Sequence, residues 1–571
     1  MTSRKAASLP ANVPGSRVRG VELSLSRLLD QLADEVPDRT SIRHHGVSIS
    51  AATLRSRSRR LARLLAGRGL SEVTERDGNL AGHESGQQLL GQCLLNGVEY
   101  FEGLFGSYRA RVAPFNINYR YVGDEIRYLI ENARPGALQY HARFAPAVAE
   151  ALVGLSRPPL LLQVADSSGN ALLPGALDYE SAVAAQPDDD LADIEPSPDD
   201  LYVLYTGGTT GMPKAVLWRQ ADVAIPGLSV FDRATGNEWA SYDARVPALH
   251  REPEVSMTCA PLIHGAAQWM SLGSLLNGGT IVLPDELERF DAAEVLDTIE
   301  REGVISLTIV GDAFAGAILD ELARRSRPRL PLRFLFTGGA ALRPAYRNAL
   351  IDALPGLRIF DLVGASESGQ QGRVERSERS DGRHFALLPD AAVVSEDRTR
   401  FLDPGHEGLG WLAKRGRVPL GYLGDAAKTA ETFPVVDGER VSVPGDRARL
   451  VSAEEFELLG RDSVTINTGG EKVFAEEVEL VLKRHPAVHD AVVCGRASER
   501  WGQEVIALVA LRRATKRADS DLEAHCRQHL AGYKTPRSFV LVDQVVRQPS
   551  GKVDYQWAQR LVEGESNRQQ R

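Results

Sequence analysis

A chain of 571 residues, 43% hydrophobic and 25% charged, exceeds what one hydrophobic core usually organises and has the balance of a globular protein with at least two domains. Its net charge of −9, from 67 basic and 76 acidic side chains, argues against a dedicated nucleic-acid or anionic-membrane surface, and no apolar run is long enough to span a bilayer. Four scattered cysteines, Cys93, Cys259, Cys494 and Cys526, form no CxxC pair, which points away from a disulfide framework or zinc site and toward a reducing cytoplasm.

Residues 1–20 are basic and small with no apolar h-region, and read as a loose tail rather than a signal peptide. SLSRLLDQLADEV and LRSRSRRLARLLAG then carry leucines at helical spacing with charge on the opposite face. The polar stretch 71–88 reads as a surface loop, as does 232–253. Short apolar runs, LYVLY at 201–205, ISLTIV at 305–310, LRFLF at 332–336 and LRIFDLVG at 357–364, alternate with helix-like segments, the pattern of a layered α/β fold with buried strands. Past Gly460 the scale changes to a compact run of helix, strand, strand, helix and strand, which reads as a small α+β domain of ordinary size. The expected organisation is therefore a tail (1–20), a large N-terminal α/β domain (21–461) and a small C-terminal α+β domain (462–571).

The densest chemistry lies at Tyr205-Thr206-Gly207-Gly208-Thr209-Thr210-Gly211-Met212-Pro213-Lys214, between two apolar strands. Glycines permit close backbone approach, so consecutive N–H groups can turn toward an anion; threonine hydroxyls add donors and Lys214 adds a mobile positive charge. That is the equipment for holding a triphosphate. The bland alternative is a ligand-free Gly/Thr turn, which does not account for the threonine density or the closing Pro-Lys. The string is not a Walker A sequence, because GxxxxGK[ST] is absent.

YTGGTTGMPK resembles the phosphate loop of the adenylate-forming superfamily, which includes acyl-CoA synthetases, luciferases and the adenylation domains of peptide synthetases. Further motifs follow in that family's order over nearly the whole chain after the tail. The resemblance implies a multi-subdomain N-terminal domain of layered sheets plus a distorted β-barrel, and a small mobile C-terminal domain. It implies that Thr206, Gly207, Gly208, Thr209, Thr210 and Lys214 hold the phosphates of ATP. Gly364-Ala365-Ser366-Glu367 is similar to the motif in which Ser366 approaches the α-phosphate and Glu367 helps to hold Mg²⁺; Val363 stands where the family carries an aromatic residue. A carboxylate there also makes independent sense, since that hard ion prefers oxygen ligands. Gly339-Ala340-Ala341 resembles the adenine-contacting loop. Asp446 matches the ribose-binding aspartate, whose two oxygens suit a diol, and Arg461 matches an arginine reaching the ribose or phosphates.

Pro549-Ser550-Gly551-Lys552 resembles the C-terminal motif that supplies the catalytic lysine, so Lys552 is expected to stabilise charge as pyrophosphate leaves. Arg461-Asp462-Ser463 falls at the family's hinge, and the resemblance implies that Thr468-Gly469-Gly470-Glu471-Lys472 lines the pantetheine tunnel after the small domain rotates, Gly469 and Gly470 letting the arm pass close to backbone. The implied reaction joins a carboxylic acid to coenzyme A through an acyl-adenylate, with ATP, Mg²⁺ and coenzyme A as cofactors and co-substrates. At the acyl end, His264 opens PLIHGAAQW; no aspartate stands there to pair with an α-ammonium, which favours a simple carboxylic acid with His264 gating the pocket. PFNINYRY, QYHARFAP, LTIVGDAF and NTGGEKVFAEEVE are similar to the steroid/terpenoid and fatty acyl-CoA synthetase branch of actinobacterial type, and a bulky apolar acid is the expected substrate. A medium- or long-chain fatty acid, an acyl-AMP ligase loading a carrier protein, and a catalytically silent nucleotide-binding homologue stand as alternatives. Many members are homodimers; the residues leave the oligomeric state open.

Overall fold

The computed structural model describes residues 17–207, 212–285, 289–325, 330–338, 342, 344–375, 384–406, 408–461, 465–512, 519–546 and 555–569. Leu25, Leu28, Leu29 and Leu32 repeat at helical spacing, and the helix Leu25–Glu35 buries all four. The helix Ala51–Gly67 buries Leu54, Leu61, Leu64 and Leu65, and Ser50 caps it by accepting from Thr53 N at 3.1 Å. Both pack against the helix Val98–Arg109, which in turn packs on a five-stranded parallel sheet that includes Leu89–Cys93, Ala113–Asn116 and Ala137–His141, strands buried along their whole length.

The largest sheet has thirteen strands among the described residues. Its parallel part runs through Thr40–His44, Thr280–Val282, Val255–Thr258, Ser306–Ile309, Phe334–Gly338 and Arg358–Ala365. At Arg358–Ala365 the pairing turns antiparallel and continues through Gly369–Glu375, His384–Leu387, Glu455–Arg461, Asp446–Leu450, Gly410–Lys414 and Ala391–Val394. These antiparallel strands share a core of their own, built on Phe385, Leu412, Leu450 and Phe456. A three-stranded sheet, Leu201–Gly207, Pro213–Arg219 and Gly421–Tyr422, links the two large layers.

The last strand of the thirteen ends at Arg461, and Thr465–Thr468 begins a separate five-stranded sheet with Glu471–Phe474, Val488–Ser498, Gly502–Leu511 and Ser538–Leu541. Alternate residues of its central strands feed two cores. Ala491, Val493, Val505, Ala507 and Val509 face the helices Ala475–Arg484 and Asp519–His529, whereas Val492, Cys494, Ile506 and Leu508 face the helix Tyr555–Gln569. An apolar run with both parities buried is what a strand covered on two faces requires.

Sequence expectation and structure differ at two loops. Residues 17–20, read as tail, run beside residues 236–239: Gly20 N donates to Glu238 Oε2 at 2.9 Å and Val21 N to Trp239 O at 2.8 Å. Composition carries no signal for such long-range backbone pairing. Within 232–253, Val246–Leu249 forms a short helix whose buried leucine, Leu249, anchors it. The cysteines are unpaired, with Cys93, Cys494 and Cys526 buried. Among the described residues, no helix is long and apolar enough to cross a membrane.

Candidate active site

The site lies beyond the carboxyl ends of the parallel strands, where an open α/β sheet leaves a crevice. Val203, Leu204, Val216, Leu217 and Trp218 are buried and fix the hairpin Leu201–Gly207/Pro213–Arg219, whose register sets Thr206 opposite Lys214 and Gly207 opposite Pro213. Gly208, Thr209 and Thr210 lie outside the described residues. The third strand pairs Gly421 with Leu217 and Tyr422 with Val216, delivering Tyr422 and Asp425 to Lys214. Lys214 Nζ sits 2.6 Å from Asp425 Oδ2 and 5.7 Å from the centre of the Tyr422 ring. Burial, the largest single influence, pushes the Asp425 carboxyl up, but the hydrogen bonds from Lys214 and from the Lys428 N–H, with the charges of both lysines, together hold the group below the usual carboxylate range.

Tyr422 also reaches the second motif: its hydroxyl donates to Glu367 Oε1 at 2.9 Å. Trp218 Nε1 donates to Ser366 O at 2.9 Å, and Ser442 Oγ donates to Glu367 O. The turn 365–368 closes on itself as Ala365 N donates to Ser368 Oγ at 3.2 Å. Lys214 and the adjacent pair Ser366-Glu367, far from it in sequence, are therefore held around one tyrosine and one tryptophan. Gly364 permits this turn by close approach: a Cβ there would strike the Gly369 carbonyl oxygen and stand 3.1 Å from Gln370 Cα. Because both obstacles are backbone, Gly364→Ala is expected to destabilise the protein by about 1–3 kcal/mol, read as a lowered melting temperature. Asp446 is buried at the start of its strand, opposite Arg461 in register. Gly338 ends its strand; Gly339, Ala340 and Ala341 lie outside the described residues, as does Lys552.

His264 immediately precedes the helix Gly265–Leu276. Asn116 clasps this segment to the hairpin, its Nδ2 donating to Tyr205 O at 3.0 Å and Ile263 O at 2.6 Å while its Oδ1 accepts from Tyr205 N at 2.8 Å. A cavity of about 220 Å³ opens here, lined by Thr206, His264, Ala266, Gly364, Ser366 and, from the C-terminal sheet, Gly470 and Glu471.

The C-terminal unit presents one face to this cavity. Gly470, at φ +86°, turns the hairpin Thr465–Thr468/Glu471–Phe474 and projects no side chain into the opening. Glu471 Oε2 lies 3.2 Å from His264 Nε2, and its Oε1 accepts from Arg120. Asn118 Nδ2 donates to Tyr533 Oη at 3.0 Å. Lys534, 2% exposed, bridges Glu125 at 2.8 Å and Glu477 at 2.7 Å and lies 4.2 Å from the Tyr121 ring. Sequence reading placed Glu471 at the thiol tunnel without its contact to His264, and missed Asn116, Arg120, Tyr422, Asp425 and Lys534 as components of the site. Their only sequence signal was position, inside PFNINYRY, GYLGD and GYKTPR, since each acts through a distant partner.

Residues 29–423 match the AMP-binding enzyme family, and residues 477–552 match the AMP-binding enzyme C-terminal domain. The chain is 48% identical over 532 residues to the medium-chain acyl-CoA ligase Mig of Mycobacterium avium, covering 92% of this chain and 96% of that protein. It is 36% identical to the 3-oxocholest-4-en-26-oate–CoA ligase of Rhodococcus rhodochrous, covering 94% and 95% of the two chains. Among solved structures, it resembles the amide bond synthetase McbA of Marinactinospora thermotolerans with a TM-score of 0.72 at 21% identity, over 94% of this chain and 99% of that one. The o-succinylbenzoate CoA synthetase MenE of Bacillus subtilis gives 0.71 at 21%, over 92% and 96%.

Proposed function

The chain belongs to the AMP-binding enzyme family, and on that premise we propose that it is an ATP-dependent, AMP-forming acid–CoA ligase acting on an apolar carboxylic acid. The observation that carries this reading is convergence on one cavity. Thr206 and the 364–366 segment line it from the large unit, Lys214 and Glu367 stand beside them, and Gly470 and Glu471 line it from the small unit. A nucleotide face and a glycine-walled entrance for a thiol thus serve the same acyl group.

In this reading Thr206 and Gly207, with Gly208, Thr209, Thr210 and Lys214, cradle the triphosphate, and Asp425 orients Lys214. Asp446 and Arg461, neighbours across two strands, take the ribose, and Gly339 to Ala341 with Gly364 and Ala365 flank the adenine. Glu367 fits Mg²⁺: it is an oxygen donor whose one oxygen is oriented by Tyr422, and such an ion, when bound with ATP, supplies charge neutralisation at the phosphates. Ser366 approaches the α-phosphate and His264 borders the acid's carboxylate. The carboxylate attacks the α-phosphorus, pyrophosphate departs as Lys552 neutralises it, and the acceptor thiol then displaces AMP from the acyl carbon. Alignment and charge carry the rate, with no protein nucleophile. The division at 461/462, rotation of the small unit between the two steps, and a cytoplasmic location consistent with four unpaired thiols belong to the same proposal.

The relatives' names direct the choice of acids to medium-chain, long-chain and sterol-derived ones. Purified protein given ATP, Mg²⁺, CoA and such acids is expected to yield AMP, pyrophosphate and the acyl-CoA thioester. Formation of ADP, or acyl-AMP that free CoA never converts, would overturn the reading.

A further inference from the structure

The parallel half of the thirteen-stranded sheet ends in the hairpin Thr40–His44/Val47–Ser50. Its first strand pairs in parallel with Thr280–Val282, Arg43 opposite Val282, and Leu283 N donates to Arg43 O at 2.9 Å. Ile42, Ile281, Val282 and Leu283 are no more than 1% exposed, so packing fixes this register. The two segments therefore leave the sheet side by side at its carboxyl rim, one into His44-His45 and the other into Asp285. His44 lies opposite Val47, which leaves a two-residue turn with His45 at φ +48° and Gly46 at φ +72°. That left-handed turn presents the His45 amide to Asp285, whose Oδ1 accepts from His45 N at 3.0 Å. It also brings the two imidazoles together, with ring centres 4.1 Å apart.

Three ligand-type side chains converge at this turn. His44, His45 and Asp285 each offer one ligand atom, and these atoms all lie within 4.8 Å of one another. His45 Nδ1 stands 3.3 Å from Asp285 Oδ1, about the edge of a tetrahedron whose bonds are ~2.0–2.1 Å long, as Zn–N and Zn–O bonds are. The carboxylate is fixed from behind: Arg301 lies 3.3 Å from Asp285 Oδ2, and Asp285 N donates to Glu294 Oε1 at 3.0 Å. Second contacts of this kind hold a metal ligand in place. His44 Nε2 is buried with no hydrogen-bond partner among the described residues. Buried ring nitrogens ordinarily have a partner, and an ion is one that a protein chain does not itself supply. A plain ion pair between His45 and Asp285 accounts for two of the three residues and leaves His44 unexplained. No cysteine takes part, which is why cysteine spacing carries no sign of the site.

We propose that His44, His45 and Asp285 bind a divalent cation of the zinc class. Two imidazoles and one carboxylate are a borderline donor set, suited to Zn²⁺, Co²⁺ or Ni²⁺ and poor for Mg²⁺, which demands oxygen ligands. Water completes the fourth position. The site is separate from the nucleotide's. Both lie at the carboxyl rim of the parallel strands, but five strand spacings, ~24 Å, separate Thr40–His44 from Arg358–Ala365, which carries the Gly364 turn. A cation here ties the edge hairpin to the segment leaving Thr280–Val282, and its task is to clamp the sheet's edge. The proposal stands or falls independently of the ligase reading.

The test titrates the full chain, stripped with EDTA and desalted, with Co²⁺ and then Zn²⁺ in the absence of ATP. One equivalent of Co²⁺ is expected to give the visible bands of a tetrahedral ion, which one equivalent of Zn²⁺ abolishes and a large excess of Mg²⁺ leaves in place. Zn²⁺ is also expected to raise the melting temperature, since it binds the folded chain. His45→Asn removes the exposed imidazole while keeping a residue that tolerates the left-handed backbone. It and Asp285→Asn are each expected to weaken Zn²⁺ binding by about tenfold or more, because even an outer contact to a metal ligand is worth ~10–100-fold. His44→Gln is the third arm, its folding checked by the melting temperature without metal. Thioester formation by His45→Asn with Mg²⁺ and ATP is expected at the native rate. Zn²⁺ bound at native strength by both His45→Asn and Asp285→Asn overturns the proposal, and so does a native chain with neither a Co²⁺ spectrum nor a Zn²⁺-dependent rise in melting temperature. Loss of thioester formation in His45→Asn overturns the separation of the two sites.

Discussion

Lys552→Ala is expected to slow acid-dependent pyrophosphate–ATP exchange by ~10²–10³-fold while ATP still binds and a supplied acyl-adenylate still passes its acyl group to CoA. The split follows from which face of the C-terminal unit meets the cavity. That face is built from the Gly470 turn, Glu471, Tyr533 and Lys534, a set suited to admitting a thiol rather than to neutralising a departing pyrophosphate. Exchange measured with radiolabelled pyrophosphate, beside single-turnover transfer from synthetic acyl-AMP, separates the two half-reactions. Exchange at the native rate would remove Lys552 from its assigned role. Equal loss of both steps would point instead to a folding defect, which ATP binding reports.

Lys534→Met is expected to act in the opposite sense, sparing adenylation and slowing transfer to CoA by about tenfold or more. Methionine would leave Glu125 and Glu477 buried at the interface without their shared cation, and breaking a buried pair in this way costs ~3–5 kcal/mol. The pH dependence of this contact has a definite sign. Burial, then Glu125, raises the Glu477 carboxyl to about 7 despite the pull of Lys534. A raised carboxyl contributes stability that is fully present below its ordinary 4.5 and is lost as pH climbs through about 7. Glu471 runs the other way. Burial raises it, but His264, Arg120 and Lys534 together hold it below the usual range, so its contribution is present above that range and lost on acidification. Melting temperatures of the native protein and Glu477→Gln, compared across this interval, should diverge with the native protein losing on the order of 1–3 kcal/mol relative to the variant as pH rises. Parallel curves would assign the proton elsewhere.

The parts of the site built from local sequence were legible before any coordinates. Thr206 and Lys214 face each other because five residues separate the ends of two short apolar strands, and a hairpin there is a local event. The turn at Gly364 was readable for the same reason. What could not be read were partners set by topology. Asp425 meets Lys214 across 211 positions and Lys534 meets Glu125 across 409, distances at which periodicity and turn chemistry carry no information. His264 was legible as a residue of the acyl end, but not its contact with Glu471, which exists only because a second sheet docks against the first. The small sheet itself was incompletely read: Thr465–Thr468 and Glu471–Phe474 are four-residue strands, too short for alternation to declare itself beside a glycine pair.

The burial of the cysteines has a chemical consequence for an enzyme that makes mixed anhydrides. Burial lifts the thiols of Cys93, Cys494 and Cys526 to about 12 and raises that of Cys259 as well. Since sulfur attacks as its conjugate base, none of these side chains competes at neutral pH for the activated acyl carbon. The protein keeps its own sulfur silent, and self-acylation is closed off by the same packing that holds the sheets together.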